Sequence, residues 1–324
     1  MTVLRVRRTL LEPPPRAALG EQTMTPPLPV ARADATETYE REIAIRREER
    51  RVFGVEPPPA IPRRWLSTID PPGADIPDPS LRGVAGIDRG PPIHLQRQRV
   101  PAGYRPLPRP EHIRQGALGD CWLLATFAAL AHTHPEIIAA GIRQIGPSTF
   151  RVFGELVDTD FPVASGRSIF ADTAGPALWV GLIEKRFAQR FLDRAPRRYA
   201  SIDGDLVSFA LTELGIASHD LGTAKMPSAD WIARVSDAVR ARQPVCVGVH
   251  ETSTRGGIVL EGPHEYTVLD VRERDGHTEF LLRNPWGFDT NSTPADAEGT
   301  FWIPATALYG MVNEATIGDL PPAR

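Results

Sequence analysis

Between positions 122 and 130 the chain sets Trp122, Leu123, Leu124, Phe127 and Leu130 among alanines, with no polar stripe on any face. A helix that is apolar nearly all round has no side to turn to water, so this segment must run through an interior and be covered from every direction. Its approach, residues 115–120, reads QGALGD. Gly116 and Gly119 let the chain bend sharply into the first turn, and Asp120 is a good N-cap type. Cys121 then stands at the head of the helix. A free thiol ionises near pH ~8.5 and attacks as thiolate, which the partial positive charge of a helix N-terminus helps to form. Cys121 is therefore a candidate nucleophile, against the ordinary role of a lone cysteine as a small buried hydrophobe.

Composition narrows the setting. The net charge is −3, but residues 1–110 hold 18 Arg and no Lys against 13 acidic groups, leaving that stretch at +5 and the remainder at −8. Neither figure calls for nucleic acid, since a mild basic excess in a Pro-rich arm is ordinarily solvated linker. Only Cys121 and Cys246 are present, which excludes a disulfide framework and points to a reducing compartment. No export signal, transmembrane run or zinc-type Cys/His spacing is visible, so the expectation is a cytoplasmic protein without nucleic-acid, membrane or metal partners. Export by a specialised secretion machine is compatible with that reading.

Of the 33 prolines, 20 precede Glu111, and this shift marks the main boundary. Residues 1–110 are expected to be a largely extended Pro/Arg-rich arm with one helix over 34–53, and with Trp65, Leu66 and Tyr104 as anchors. The arm is a tether or targeting segment, or it lies across the cleft of the domain that follows and is processed by it. Residues 111–243 read as a helical subdomain. The spacing of Leu178, Leu182, Ile183 and Phe187 predicts one helix, residues 209–214 a short one ended by Gly215, and residues 231–242 another. Residues 150–163 alternate as a hairpin. Residues 244–324 change to strands (VCVGVH, YTVLDVRE, TEFLLR, TFWIP), a mainly antiparallel subdomain in which Cys246 is a buried structural thiol.

A thiol nucleophile needs a base that later protonates the leaving amine, and histidine suits neutral pH. His264 precedes one strand of a hairpin turning at Asp275 and Gly276, and Asn284 ends the returning strand, so both emerge at the same end of the ribbon. Asn284 can then hold the imidazole tautomer, with Trp286 shielding their hydrogen bond from water.

The segment QGALGDCWLL resembles the active-site segment of the calpain family of papain-like cysteine proteases, Gln-Gly-x-Leu-Gly-Asp-Cys-Trp-Leu-Leu, at every specified position. Residues 283–287, RNPWG, are similar to the family's Arg-Asn-Pro-Trp-Gly. His264-Glu265-Tyr266 resembles its Gly-His-Ala-Tyr less closely, with Pro263 in place of glycine and Glu265 in place of alanine. Trp179, Glu184, Lys185 and Tyr199 also resemble the family's Trp-x-x-Leu-x-Glu-Lys-Ala with its later Tyr. The resemblance implies an α+β, papain-like fold, with a helical subdomain carrying Cys121 followed by a β subdomain carrying His264 and Asn284. It implies a cysteine endopeptidase acting on protein or peptide substrates, with Gln115 as oxyanion donor and Gly119 and Asp120 in support. No cofactor is expected. Calcium is left open but not favoured, because no EF-hand loop appears, Thr300 stands where the family often has an acid before Phe301-Trp302, and the segment from 287 to 301 is short. The same Cys, His, Asn order also suits a transglutaminase-like acyl transferase, and a binding module without activity is the third reading.

Overall fold

The computed structural model describes residues 76, 78–84, 93–190, 198–289, 291 and 298–320. Every described residue lies within Glu56–Arg324. The helix expected over 34–53 and the anchors Trp65 and Leu66 fall outside the described residues. Tyr104 falls inside. Its ring meets Phe150 edge-on at 5.8 Å and its backbone N–H donates to Gln144 Oε1.

In chain order, β1 (His94–Arg97) is followed by α1 (Cys121–Thr133) and α2 (Pro135–Gly141). Five short strands come next: β2 (Ile142–Gly146), β3 (Thr149–Val152), β4 (Glu155–Asp158), β5 (Asp160–Ala164) and β6 (Arg167–Ser168). Then come α3 (Leu178–Gln189), α4 (Val207–Glu213), β7 (Ser218–Gly222) and α5 (Ser228–Arg240). The last part holds β8 (Val245–Val249), β9 (Ser253–Arg255), β10 (Ile258–Leu260), β11 (His264–Arg274), β12 (His277–Arg283), β13 (Thr300–Pro304), α6 (Ala305–Tyr309) and β14 (Glu314–Gly318). Among the described residues no helix is long and apolar enough to cross a membrane.

The main sheet has six strands in the order β13-β12-β11-β8-β14-β7, antiparallel throughout. One of its faces is apolar. Val245, Val247, Val249, Tyr266, Val268, Phe280, Leu282, Ile303 and Ile317 pack there with Trp231 and Val235 of α5 and Leu308 of α6. The opposite face carries Cys246 and Thr267, and Thr267 Oγ1 donates to the Ala125 carbonyl of α1 at 2.8 Å. Helix α1 therefore has the sheet on one side. On another, Phe127 meets Phe153 and Phe187 at 5.8 Å, and Trp122 meets Phe187 at 6.4 Å. Trp122, Leu123, Leu124, Phe127 and Leu130 are all fully buried, which is why the helix tolerates no polar stripe.

The hairpin expected over 150–163 is a hairpin and a departing strand. Strands β3 and β4 turn at Phe153-Gly154, both at positive φ, and β2 pairs with β3. Strand β5 leaves to pair with β1 and β6. The chain changes course where Lys185 of α3 binds the Asp158 carboxylate (2.5 Å) and the Asp160 carbonyl (2.7 Å). Two strands that periodicity does not announce, β2 and β7, complete the sheets on either side. Helix α5 starts three residues before the predicted Trp231, directly after Pro227.

Candidate active site

Cys121 occupies the first residue of α1, as expected, and the bend before it leaves no freedom. A Cβ on Gly116 would lie 2.3 Å from the Phe170 carbonyl oxygen, and one on Gly119 would lie 2.2 Å from Asp203 Oδ1. Ala117 N–H donates to the Ile169 carbonyl and Gly204 N–H to the Gly119 carbonyl, clamping the loop from both sides. Trp122 Nε1 donates to the Ile202 carbonyl at 3.0 Å. The thiol is pushed up to about 12, first by burial and then by the Glu265 carboxylate. Backbone N–H groups of Glu265 and Trp122 face the sulfur and offset this only in part. The helix terminus does not by itself make a thiolate here.

His264 and Asn284 come together as the hairpin requires. The turn falls at Asp275 and Gly276, both at positive φ, and the register runs from Arg274 opposite His277 back to Thr267 opposite Arg283. A one-residue shift between Val268 and Asp270 marks a bulge at Leu269. His264 Nε2 lies 2.9 Å from Asn284 Oδ1. The Trp286 backbone N–H donates to the same oxygen at 3.0 Å. Since a backbone N–H can only donate, the atom it meets is the amide oxygen, and His264 must present Nε2–H to it. The lone pair of the neutral imidazole then rests on Nδ1. The Trp286 ring lies over the imidazole at 4.5 Å, and Tyr266 meets it edge-on at 5.0 Å. Burial pushes His264 down to about 4, although the Asn284 hydrogen bond acts in the other direction. Among the described residues no hydrogen bond joins the Cys121 sulfur to this imidazole.

Gln115 is tied to the other half of the site through its backbone, whose N–H donates to the Pro285 carbonyl at 2.9 Å. Its side-chain Nε2 donates to the Leu118 carbonyl at 2.6 Å and also faces the Asp120 carboxylate. Asp120 sits at the N-cap position, but its side chain caps nothing. The carboxylate turns inward, fully buried, toward Glu184 of α3, whose own carboxylate accepts from Ala171 N–H at 3.1 and 3.2 Å. Burial pushes both groups upward, Asp120 to about 7; the Asp120 charge adds to the rise of Glu184, whereas at Asp120 the hydrogen bond from Glu184 acts in the other direction and the Asp203 charge adds to burial. Two carboxylates so placed share a proton, which replaces the capping role that residue type alone suggests. The partner Glu184 lies on another helix, so no local signal in residues 115–121 points to it.

Residues 107–303 match the profile of the family described as calpain family cysteine protease. The chain belongs to that family. Among its relatives, the calpain-type cysteine protease DEK1 of Arabidopsis thaliana is 33% identical over 204 residues, covering 55% of this chain and 9% of DEK1. A calpain of Schistosoma mansoni is 32% identical over 206 residues, covering 54% and 26%. The chain thus spans about a quarter or less of these two calpains. A solved procathepsin L2 from Tenebrio molitor larval midgut is 12% identical, covers 69% of each chain and superposes with a TM-score of 0.35. The calpain assignment brings with it the papain-like α+β fold expected from the motifs and makes the matched segment a cysteine peptidase domain.

Calcium needs six to eight oxygen ligands with little competing positive charge. Among the described residues the three-carboxylate group Asp78, Asp158 and Asp160 is the one whose oxygens converge. It does not fit the ion. Lys185 Nζ already sits against Asp78 and Asp158, and Arg97 holds Asp160 with two hydrogen bonds of 2.8 and 2.6 Å. The positive charge of this group is supplied by the chain itself.

Proposed function

We propose that this calpain-family chain is a cysteine endopeptidase in which Cys121, His264 and Asn284 act as a triad. The observation that carries the reading is the doubly committed Asn284 oxygen. It fixes the imidazole proton on Nε2 and leaves Nδ1 free to accept the thiol proton in this reading. With the thiol held high and the imidazole held low, the resting pair is neutral, so the proton passes from sulfur to Nδ1 as the sulfur attacks the peptide carbonyl. The imidazolium then protonates the leaving amine, and water, deprotonated by His264, releases the thioester. The developing oxyanion needs donors placed for it, each of which contributes about 10²- to 10³-fold in rate. The Cys121 backbone N–H is one, and Gln115 is the other once its amide exchanges the Leu118 carbonyl for the oxyanion. Asp120 and Gly119 support that corner by shaping the loop. This reading uses no metal step.

The test is incubation of wild-type and Cys121→Ala chains with an unfolded protein substrate, with fragments identified by mass spectrometry. The expected outcome is cleavage by wild type and a loss of at least about 10⁴-fold in the variant. Fragments arising inside residues 1–110 would add self-processing. Incorporation of an amine into glutamine side chains without peptide cleavage would instead assign acyl transfer.

A further inference from the structure

Glu265 follows His264 and lies on the other face of β11, the face turned to α1. Thr267, two residues on, is bonded to Ala125. Two strand residues span about 6.7 Å and four helical residues about 6 Å, so stepping back from that bond brings Glu265 alongside Cys121. The electrostatics agree, since both the carboxylate and the backbone N–H of Glu265 act on the thiol. The side chain then reaches sideways over β8. A Cβ on Gly248, its cross-strand partner, would come within 2.8 Å of Glu265 Oε1.

Beyond Gly248 the same row continues to Glu314 and Gly222, with Asp220 two pairs away on the same face. A Cβ on Gly222 would meet nothing within 4 Å, so the sheet surface is open there. Burial first, and then repulsion from Glu314 and Asp220, pushes the Glu265 carboxyl well above its ordinary range. Among the described residues no cation and no hydrogen-bond donor meets that carboxylate. Glu265 is partly covered but keeps an accessible edge. A partly covered carboxyl group beside two others, with no counter-charge of its own, is costly to ionise, and a cationic group seated against it would offset that cost. It also stands where the calpain motif has alanine, a side chain too short to reach this row.

We infer that Glu265 sets substrate preference, its carboxylate receiving the guanidinium or ammonium of an Arg or Lys side chain carried by the peptide beside the scissile bond. This rests on the cleft being the proteolytic site proposed above. The experiment therefore has two arms. In the first, full-length wild type and Glu265→Gln, which keeps the side-chain shape, are assayed on fluorogenic peptides bearing Arg, Lys, Leu or Glu at each position flanking the bond. In the second, fluorescent Arg- and Leu-containing peptides are titrated into Cys121→Ala and Cys121→Ala/Glu265→Gln chains.

The expected result is a preference of about tenfold or more for Arg or Lys over Leu at one position, falling toward unity in Glu265→Gln. Cleavage without such a preference, or with one that survives Glu265→Gln, overturns the inference while leaving the catalytic reading intact. Absence of cleavage together with Glu265-dependent binding of the Arg peptide supports the inference and removes the catalytic reading. Absence of both removes both. Glu265→Ala, followed by thermal unfolding, serves as a second variant and is expected to fold at least as stably as wild type, because it deletes a partly covered carboxyl group that no cation or donor meets.

Discussion

Cys121 and His264 are positioned by different physical means. The cysteine is placed by volume: α1 is enclosed by the sheet, by Phe153 and by Phe187, and the loop before it has no space for a Cβ at Gly116 or Gly119. The histidine is placed by register: a turn at Asp275-Gly276, a bulge at Leu269 and two hydrogen bonds to one asparagine oxygen. Damage to the first kind of constraint spreads through the core, whereas damage to the second stays with the chemistry.

That contrast makes ordered predictions. Phe127→Ala empties the space between Phe153 and Phe187 and is expected to cost about 3–5 kcal/mol of stability, read by denaturant unfolding. Asn284→Ala is expected to lower kcat about 100-fold with KM little changed, while the chain stays folded. If Asn284→Ala unfolded the domain as readily as Phe127→Ala, the distinction between volume and register would fail.

Two pH measurements sharpen the comparison. In the proposed mechanism His264 is unprotonated when it accepts the thiol proton, and burial holds it down to about 4. The acid limb of kcat/KM should therefore lie near pH 4, with activity persisting as pH falls through the usual histidine range. An acid limb between pH 6 and 7 would mean that the imidazole is better solvated in solution than its packing implies. On the cysteine side, Asp120 and Glu184 are both raised, so the folded chain keeps a proton that the unfolded chain releases. Their contribution is greatest in acid and declines as pH rises from the ordinary carboxylate range through the raised values. Glu184→Gln removes the sharing and should flatten the pH dependence of the melting temperature between pH 5 and 8, by about 1.4 kcal/mol per unit of raised pKa. An unchanged slope would show that the two carboxylates do not share a proton.

The parts that were legible in the sequence are those in which a short stretch carries its own instructions. The apolar helix, the turn at Asp275-Gly276, and the strand ends that bring His264 to Asn284 all follow from local periodicity and turn chemistry. The Trp286 ring covers the imidazole as expected, but its backbone N–H also fixes the Asn284 amide, which residue type alone does not reveal. What escaped depends on partners far along the chain. Asp120 looks like a cap until Glu184 lies beneath it. The hairpin after residue 150 looks simple until Lys185 gathers Asp158 and Asp160 and sends β5 elsewhere. Strand β7, with the sequence SHDLG, has no alternation and exists because β14 offers it an edge.

At one corner the two halves are stitched together through backbone carbonyls. Gln115 N–H reaches the Pro285 carbonyl, and the buried Arg283 guanidinium reaches the Ile113 carbonyl at 2.6 Å. Residues 113–115 and 283–285 therefore travel as one piece. Any breathing that widens the gap between sulfur and imidazole has to swing about this seam, like a book opening away from its spine. Such a motion would alter the distance from Cys121 to His264 far more than the spacing between the Gln115 backbone and Asn284.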